Sequence, residues 1–589
     1  MKNCYLLVAG AVLLTQSGWA QAPLLLNSQT PGRNASAVPY SSAVTMTFSQ
    51  PLASSQAGMS GVQAYAGQRT GRLAGTSTVN GNTLTFQPAR NFKPGELVNL
   101  TVPAGGVQSS SGQPLSQAYV AQFRVGAVGG TGVFTGGSDA SVGSSPRSLT
   151  VGDVDNDGDV DLLSADWPSG SPSTVSIRLN NGLGVYSGTQ SVTPAGAANG
   201  LLLADVDADA DLDLVLTIGN NNLLQVFANN GQGQFTAAGS VQVPSFPSNV
   251  VAADADGDGD LDLLVACTNG TGVVALLTNN GAGTFRVATT FAAGASNCGP
   301  VDLAAVDIDN DGDLDVLTDN SFNNTVGVAL NNNGVFTPAG TTAVALGTTG
   351  LLQRRIAVAD LNQDGNPDFI TCNSSFSAGS ISVRYGNGQG QFTGGYELTT
   401  GPQPFDLTLA DVNGDGLPDL LTASNATSGV VNVRLGNGNG TFGTGTSSQG
   451  TDVVIADRPQ ALAAADVDGD GDLDLLTVNR PYNGSASIRL NGGSSAPLAA
   501  TASTFNQLTE LYPNPATGQV SVVLPAASSA SSATLTLTDA LGRGVRSATV
   551  ALGAGGTTAG LDLGGVPAGL YTVRVQAGGL VAVRKLVVN

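Results

Sequence analysis

The chain has 589 residues, more than one ordinary hydrophobic core accommodates, so several domains or a repeat array are expected. It contains 80 Gly, only 11% charged residues and 41% hydrophobic residues, a composition that favours a turn-rich all-β protein over helical bundles or disorder. The formal net charge of −21 argues against nucleic acid or an anionic membrane surface as a partner.

The first predicted element is an export signal over residues 1–20. One Lys precedes an apolar run from Tyr5 to Leu14, and small residues follow near Ala20. This order predicts a secretory signal peptide that is cleaved after Ala20, and the run is too short to anchor the chain in a bilayer. We therefore expect an exported protein, secreted or attached to the outer cell surface, without a transmembrane segment.

Residues 21–126 alternate apolar and polar residues between turn signals. The stretches "VTMTFSQPL", "LTFQP" and "VNLTV" are typical of about seven short strands, which favours a β-sandwich. The region resembles the bacterial Ig-like domain of surface proteins. That resemblance implies a spacer or an adhesive module.

An acidic stretch is repeated seven times between residues 127 and 493. It begins at residues 153, 205, 254, 307, 360, 411 and 466, so the steps range from 49 to 55 residues. A short apolar run follows each copy, and then an alternating strand that ends in a turn such as Asn-Gly. Each unit therefore holds about four strands, as a propeller blade does, and the period predicts a seven-bladed β-propeller.

The last unit lacks the strand that ends most of the others. The seventh unit stops near Ile488 to Gly493, whereas an unassigned "GTGVF" at residues 130–134 precedes the first acidic stretch. If this N-terminal segment supplies the missing outer strand, the ring closes without exposed edges.

Each acidic stretch reads D-x-[DN]-x-D-[GA]-x-x-D, and these nine positions contain 31 of the 43 acidic residues of the chain. Side chains at positions 1, 3 and 5 can converge on one point, and Gly at position 6 permits the sharp turn that brings them there. Position 7 can offer its backbone carbonyl, and Asp at position 9 completes the set of ligands around the ion. Several carboxylates without nitrogen or sulfur ligands suit a hard cation, and calcium tolerates this geometry better than magnesium does.

An EF-hand begins similarly but needs Glu at position 12 and flanking helices. Here position 12 carries no acid in any copy: Ser164, Leu216, Val265, Thr318, Thr371, Thr422 and Thr477.

The unit resembles the FG-GAP/VCBS repeat of integrin-α-type propellers, in which this loop binds calcium. The resemblance implies up to seven Ca²⁺ sites that hold the ring together. The candidate metal ligands are Asp153, Asp155, Asp157, Asp159 and Asp161; Asp205, Asp207, Asp209, Asp211 and Asp213; Asp254, Asp256, Asp258, Asp260 and Asp262; Asp307, Asp309, Asp311, Asp313 and Asp315; Asp360, Asn362, Asp364, Asn366 and Asp368; Asp411, Asn413, Asp415, Leu417 and Asp419; and Asp466, Asp468, Asp470, Asp472 and Asp474.

Three of the seven loops depart from the pattern, and we expect weaker sites there. Ala210 replaces Gly at position 6 of the second loop, which strains its turn. Asn362 and Asn413 each remove one negative charge at position 3 of the fifth and sixth loops.

After export three cysteines remain, Cys267, Cys298 and Cys372, which do not form a disulfide framework. Either Cys267 and Cys298 are bridged, or all three are small buried hydrophobic residues.

A Ser/Ala-rich linker over residues 494–508 leads to a last domain at 509–589. There, Tyr512-Pro513-Asn514-Pro515 is followed by "DALGR" at 539–543, "PAGLY" at 567–571 and a basic pair, Arg584 and Lys585. In this order the motifs resemble the type A C-terminal sorting domain of the type IX secretion system. The resemblance implies a small β-sandwich that the type IX secretion machinery recognises at the outer membrane.

The chain contains no His, which excludes Ser-His-Asp catalysis, His-ligated zinc and His acid–base chemistry. We therefore expect a non-catalytic module that binds an extracellular protein or glycan. The alternative is a polysaccharide-acting lyase or hydrolase on a calcium propeller. Five residues on propeller loops are either ligand contacts or ordinary solvated side chains: Arg354, Arg355, Arg458, Arg480 and Tyr482.

Overall fold

A computed structural model gives the structure of this protein. It describes residues 22–54, 61–69, 71–168, 172–270, 272–345, 352–374, 379–400, 403–425, 429–443, 450–480, 484–492, 509–524, 532–538, 543–552, 557–577 and 580–588. The predicted signal peptide, the linker over 494–508, Tyr482 and residues 539–542 lie outside the described residues. The signal peptide and the domain boundaries therefore stay predictions.

The first structural unit is a sandwich of two sheets with the strand orders β1-β3-β7-β6 and β2-β9-β8-β4-β5. Met46, Phe48, Leu100 and Phe123 are buried in its core. It contains nine strands rather than about seven: β1 (Leu26–Thr30), β2 (Ala35–Val38), β3 (Val44–Phe48), β4 (Gln63–Ala66), β5 (Gly71–Arg72), β6 (Gly75–Asn80), β7 (Thr83–Pro88), β8 (Leu97–Val102) and β9 (Tyr119–Val125).

The middle of the chain folds into strands β10 to β38 and one 3₁₀ turn at Gly219–Asn221. The strands are β10 (Phe134–Thr135), β11 (Asp139–Ser141), β12 (Pro146–Gly152), β13 (Asp161–Asp166), β14 (Thr174–Arg178), β15 (Ser191–Val192), β16 (Ala198–Ala204), β17 (Asp213–Ile218), β18 (Leu223–Ala228), β19 (Thr236–Gln242), β20 (Pro247–Ala253), β21 (Asp262–Cys267), β22 (Val273–Thr278), β23 (Arg286–Ala292), β24 (Pro300–Val306), β25 (Asp315–Asn320), β26 (Thr325–Leu330), β27 (Thr337–Ala345), β28 (Leu352–Ala359), β29 (Asp368–Ser374), β30 (Gly379–Gly386), β31 (Phe392–Thr400), β32 (Pro404–Ala410), β33 (Asp419–Ser424), β34 (Val430–Arg434), β35 (Asp452–Val454), β36 (Pro459–Ala465), β37 (Asp474–Asn479) and β38 (Ser485–Asn491).

These strands form seven antiparallel sheets, which we call blades 1 to 7. Blades 1 to 6 each contain four consecutive strands, beginning with β12, β16, β20, β24, β28 and β32, and blade 7 contains β36, β37 and β38. The first strand of each blade contacts the first strand of the next blade, and β36 of blade 7 contacts β12 of blade 1. The sheets are therefore arranged as a closed ring, with the first strands around a central channel.

The second strand of a blade is buried along its whole length, for example β13 and β33. Both faces of such a strand pack against neighbouring blades, so both alternating sets of side chains lie in the core. For this reason the sequence of these strands reads as a continuous apolar run rather than as strict alternation.

The predicted closure of the ring is confirmed. Strands β10 and β11, which precede blade 1 in the chain, both pair antiparallel with β38 of blade 7. Phe134 lies opposite Asn491, and Ala140 lies opposite Ala486. The outer edge of the last blade is thus completed by the N-terminal end of the ring.

The C-terminal unit has two sheets, with the strand orders β39-β40-β43 and β42-β41-β44-β45. Its strands are β39 (Glu510–Tyr512), β40 (Gln519–Leu524), β41 (Ser532–Thr538), β42 (Gly544–Ala551), β43 (Thr557–Asp562), β44 (Gly569–Ala577) and β45 (Leu580–Val588). The described residues contain no α-helix, so the all-β prediction is confirmed.

Cys267, Cys298 and Cys372 are free thiols in the interior, so the Cys267–Cys298 bridge does not form and the buried alternative holds. Across the described parts of the chain, no helix is long and apolar enough to cross a membrane.

Candidate metal centres

Every acidic loop joins the first strand of a blade to its second strand. In blade 1, β12 ends at Gly152 and β13 begins at Asp161, so positions 1 to 8 form the connection and position 9 begins the second strand. Because the first strands run side by side around the channel, all seven loops lie at one end of the ring. We call this end the loop face and the other end the opposite face.

The carboxylate at position 1 organises the turn of its own loop. In all seven loops its Oδ2 atom accepts a hydrogen bond from the backbone N–H at position 6, over 2.9 to 3.1 Å. The residue at position 6 has a positive φ, 100° at Gly158 and 74° at Ala210. The left-handed conformation predicted to strain Ala210 is therefore present.

Position 4 also has a left-handed backbone in every loop, a feature not predicted from the sequence. The residues are Asn156, Ala208, Gly257, Asn310, Gln363, Gly414 and Gly469, with φ between 61° and 77°. Asn or Gly occupies five of these positions, and both residues tolerate this conformation better than others do. That preference was the signal available in the sequence.

The carboxylate at position 9 joins its loop to the third strand of the same blade. Its Oδ2 atom accepts from the backbone N–H at position 2 in each loop. Its Oδ1 atom accepts from a backbone N–H just beyond or at the end of the third strand, over 2.7 to 2.9 Å. Position 9 therefore has a structural role in addition to its predicted role as a ligand.

Five of the loops bring three carboxylates within 4.8 Å of one another, close enough to hold one metal ion. In four of them the carboxylates come from positions 1, 3 and 9, and in the fourth loop they come from positions 1, 3 and 5. The groups are Asp153, Asp155 and Asp161; Asp205, Asp207 and Asp213; Asp254, Asp256 and Asp262; Asp307, Asp309 and Asp311; and Asp466, Asp468 and Asp474.

The fifth and sixth loops carry Asn at position 3. Asn362 donates from Nδ2 to Oδ2 of Asp364 over 3.0 Å, and Asn413 donates in the same way to Asp415 over 2.9 Å. These amides therefore compensate part of the charge at position 5. Among the described residues, neither loop assembles a group of three carboxylates.

The remaining predicted ligands lie at positions 5 and 7. The carboxylate at position 5 accepts the backbone N–H of position 7 in each loop, from Asp157 with Asp159 to Asp470 with Asp472. In the second loop the side chain at position 7 points to a neighbour instead: Asp211 accepts from Nδ2 of Asn156 in blade 1 over 2.6 Å. The carbonyl of position 7 stays a predicted ligand.

Several carboxylate oxygens in these groups are buried without a hydrogen-bond partner. They are Oδ1 of Asp153, Asp205, Asp309 and Asp468. A buried charged oxygen without a donor is costly, and a bound cation removes that cost. The donor set contains oxygen alone, which is what a hard divalent cation such as calcium prefers. These residues therefore fit a metal ion.

Without metal, the grouped carboxylates resist ionisation. Burial, with a smaller contribution from nearby Asp residues, raises the pKa of Asp161 and Asp262 to about 8. At Asp472, which lies at position 7 of the seventh loop outside these groups, burial and the adjacent charge of Asp470 raise the pKa to about 9. A divalent cation would offset both the free-energy cost of burying these charges and the repulsion between them.

Asn side chains connect each of five blades to the acidic loop of the preceding blade. Their Nδ2 atoms donate to the backbone carbonyl at position 2 over 2.6 to 2.8 Å: Asn229 to Val154, Asn279 to Val206, Asn331 to Ala255, Asn491 to Val412 and Asn180 to Val467. The last of these joins blade 1 to blade 7. From the sequence these Asn residues were predicted only as turn residues, and their recurrence at the end of the third strand of these blades was the available signal.

The N-terminal sandwich covers much of the loop face. Residues 21–126 contain six Arg and Lys against a single Glu, so this unit is cationic in an anionic chain. Four contacts reach four successive loops: Lys93 Nζ to the Gly158 carbonyl, Arg72 N to Asp205 Oδ2 (2.8 Å), Tyr65 OH to the Gly259 carbonyl (3.1 Å) and Arg33 to Asp307 Oδ2 (2.7 Å). The acidic face and the cationic sandwich are therefore complementary.

The opposite face carries an ion triad across three blades. Nε of Arg355 lies 2.8 Å from Asp406 Oδ1, and its NH1 lies 3.5 Å from Asp302 Oδ1. The three residues belong to the first strands of blades 4, 5 and 6. Arg355, a candidate ligand contact from the sequence, is thus largely occupied in joining blades.

Comparison with protein families identifies all three parts of the chain. FG-GAP-like repeats match residues 153–216, 205–265, 254–318, 360–422 and 411–477. A bacterial Ig-like domain matches 20–125, and a secretion system C-terminal sorting domain matches 510–589. The predicted resemblances are therefore confirmed, and the sorting domain indicates export by type IX secretion to the cell surface or beyond.

Solved structures show only distant likeness. A functionally unknown protein from Desulfotomaculum acetoxidans DSM 771 is 13% identical, covering 54% of this chain and 91% of its own, with a TM-score of 0.37. A lectin from Agrocybe aegerita that recognises non-reducing terminal N-acetylglucosamine is 17% identical, covering 69% of this chain and 96% of its own, with a TM-score of 0.35. The periplasmic gluconolactonase of Pseudomonas aeruginosa is 14% identical, covering 68% of this chain and 98% of its own, with a TM-score of 0.37. No curated protein shows a significant match. At these TM-scores the likenesses support no inference about ligand or reaction.

Proposed function

We propose that this exported chain is a calcium-stabilised, non-catalytic propeller that binds an extracellular protein or glycan. The proposal rests on the FG-GAP-like repeats, which lie between a bacterial Ig-like domain and a secretion system C-terminal sorting domain. The ions are structural in this proposal. They are held by the carboxylates of the acidic loops, where they neutralise charge and connect the strands of each blade.

The observation that carries the proposal is that the Ig-like domain covers much of the loop face and leaves the opposite face uncovered. The loop face, with its grouped carboxylates, lies against the cationic Ig-like domain. Those carboxylates are therefore poorly placed to meet a large external partner or a polymer substrate. The opposite face remains for binding.

Aromatic and Arg side chains occur at the opposite face. Phe322 follows the second strand of blade 4 and is 53% exposed. Trp167 follows the second strand of blade 1, and the guanidinium of Arg147 lies 4.5 Å from the centre of its ring. Aromatic and Arg residues are enriched at binding surfaces because they offer large rigid contact areas with few rotatable bonds.

The test is retention of the mature chain, residues 21–589, on arrays of glycans and matrix proteins, with calcium and with chelator. We expect retention with calcium, weaker retention in chelator, and a loss for Phe322→Ser. Val335→Ser is the matched control, since Val335 is 64% exposed but lies beyond the third strand of blade 4, away from the opposite face. Shortened oligosaccharides, detected by mass spectrometry, would instead favour the enzyme alternative, and retention by no array component would contradict binding.

A further inference from the structure

A cavity of about 300 Å³ lies where the central channel meets the Ig-like domain. Its channel wall comes from the first strands of blades 3 to 6 and is built from small apolar residues such as Ala305, Val358 and Leu409. The Ig-like domain contributes Phe123 and Arg124. This volume is at the lower end of the range for small-molecule sites, and the mixture of apolar wall and few polar groups is typical of them.

Arg124 is the charged group on the Ig-like side of this cavity. Its NH1 donates to the backbone carbonyl of Gly95 over 2.9 Å, and the described residues give its side chain no other hydrogen bond and no ion pair. A guanidinium has five N–H donors, so four of them have no hydrogen-bond partner among the described residues.

Two carboxylates also line the cavity, but their oxygens are engaged elsewhere. Oδ2 of Asp360 accepts the N–H of Gly365, and Oδ2 of Asp411 accepts the N–H of Gly416, each over 2.9 Å. Both are position 1 carboxylates of their loops and are predicted cation ligands. They do not neutralise Arg124.

A half-buried charge without a counter-ion is unfavourable, and burial lowers the pKa of Arg124, with no carboxylate acting in the other direction. The contrast with Arg355 is informative, because that guanidinium, also half-buried, has Asp406 and Asp302 as partners. In a chain of net charge −21, the lack of an acidic partner for Arg124 among the described residues marks the place for an external anion.

We propose that this cavity binds a small organic monocarboxylate with an unbranched apolar tail. The carboxylate accepts two hydrogen bonds from the fork of Arg124, and the tail lies along the apolar wall at Ala305 and Val358. A carboxylate matches the planar geometry of guanidinium, whereas a phosphate dianion would need more donors than one Arg in an apolar wall provides. This site is independent of the partner proposed for the opposite face.

The cavity has a route to solvent. Ser36 and Ala37 are exposed at its rim on the Ig-like side. Across from them are the fifth and sixth loops, whose position 1 carboxylates are less buried than those of the other five loops. A ligand can therefore enter through this sector without displacing the contacts that Arg33 and Arg72 make.

The test is isothermal titration of the calcium-loaded mature chain with straight-chain carboxylates from butanoate to decanoate, and with the matching alcohols. We expect one site, an affinity that rises about fourfold per added methylene until the cavity is full, and alcohols that bind at least about tenfold more weakly. Absence of binding at every chain length, or equal affinity for acid and alcohol, would overturn the proposal.

Two variants locate the site. Arg124→Gln should weaken carboxylate binding at least about tenfold, whereas Arg286→Gln, at an exposed position on β23, should leave it unchanged. Ala305→Phe keeps the charge but fills the cavity, so it should exclude the longer acids, and it remains informative if Arg124→Gln does not fold. Wild-type affinity in both Arg124→Gln and Ala305→Phe would refute the assignment.

Discussion

Replacing Asn491 by Ala should destabilise the ring more than any single surface change. Asn491 is buried at the end of β38 and its side chain makes four hydrogen bonds. Nδ2 donates to the carbonyls of Val412 (2.6 Å) and Leu473 (3.1 Å). Oδ1 accepts from the N–H groups of Thr131 and Gly132, both over 3.1 Å. One side chain therefore joins the N-terminal end of the ring to blades 6 and 7.

The size of the effect follows from the groups left behind. The Asn491→Ala substitution would leave the N–H of Thr131 and the carbonyl of Leu473 without these partners, whereas Gly132 N still donates to the Val412 carbonyl over 2.9 Å. Each buried polar group that loses its partner costs about 1 to 3 kcal/mol. Thr131 is exposed, so water can replace the partner of its N–H, whereas Leu473 is buried. The one buried group that loses its partner predicts a loss of roughly 1 to 3 kcal/mol in the free energy of unfolding.

The assay is urea unfolding at a fixed calcium concentration, followed by tryptophan fluorescence. In a chain that begins at residue 21, Trp167 is the only tryptophan, and it lies in the ring. Gln234→Ala, an exposed polar-to-Ala change in blade 2, is the control and should stay within about 0.5 kcal/mol of wild type. A loss in Asn491→Ala no larger than in this control would refute the closure argument.

Three further results are expected. In chelator, the pKa values of Asp161, about 8, and of other loop carboxylates are raised, so stability is highest at low pH and is lost as pH rises from the ordinary Asp pKa of about 4 through about 6 to 8. The melting midpoint should therefore be lower at pH 8 than at pH 5, and millimolar calcium should reduce this difference. A midpoint that does not depend on pH in chelator would contradict the role of burial. Ala210→Gly should raise the free energy of unfolding by about 1 kcal/mol, because φ is 74° at this position. Ala237→Gly in β19 is the control and should lower the free energy of unfolding. If Ala210→Gly is destabilised in urea unfolding, the turn is not strained. Arg33→Gln should tighten calcium binding at the fourth loop, because its guanidinium pairs with Asp307, and an unchanged calcium titration would show that the two do not compete.

The sequence by itself determined the local architecture. The nine-residue acidic pattern, the apolar runs after it and the recurring turns predicted four-stranded units, and the unassigned residues 130–134 predicted how the ring closes. The strands, turns and cation loops are local features because they depend on backbone conformations that a few neighbouring residues set. Ring closure pairs Phe134 with Asn491 and was predictable because the repeat pattern left the last unit one strand short. The strain at Ala210 belongs to the same class.

Only the tertiary structure decided how separate parts of the chain meet. Arg33 and Asp307 form an ion pair across 274 positions of sequence, and the Asn side chains connect one blade to the preceding one. The cavity at Arg124 exists because the Ig-like domain rests on the channel of the ring. Such contacts depend on complementary shape and charge between surfaces that no local pattern relates, so they appear only once the whole chain is folded.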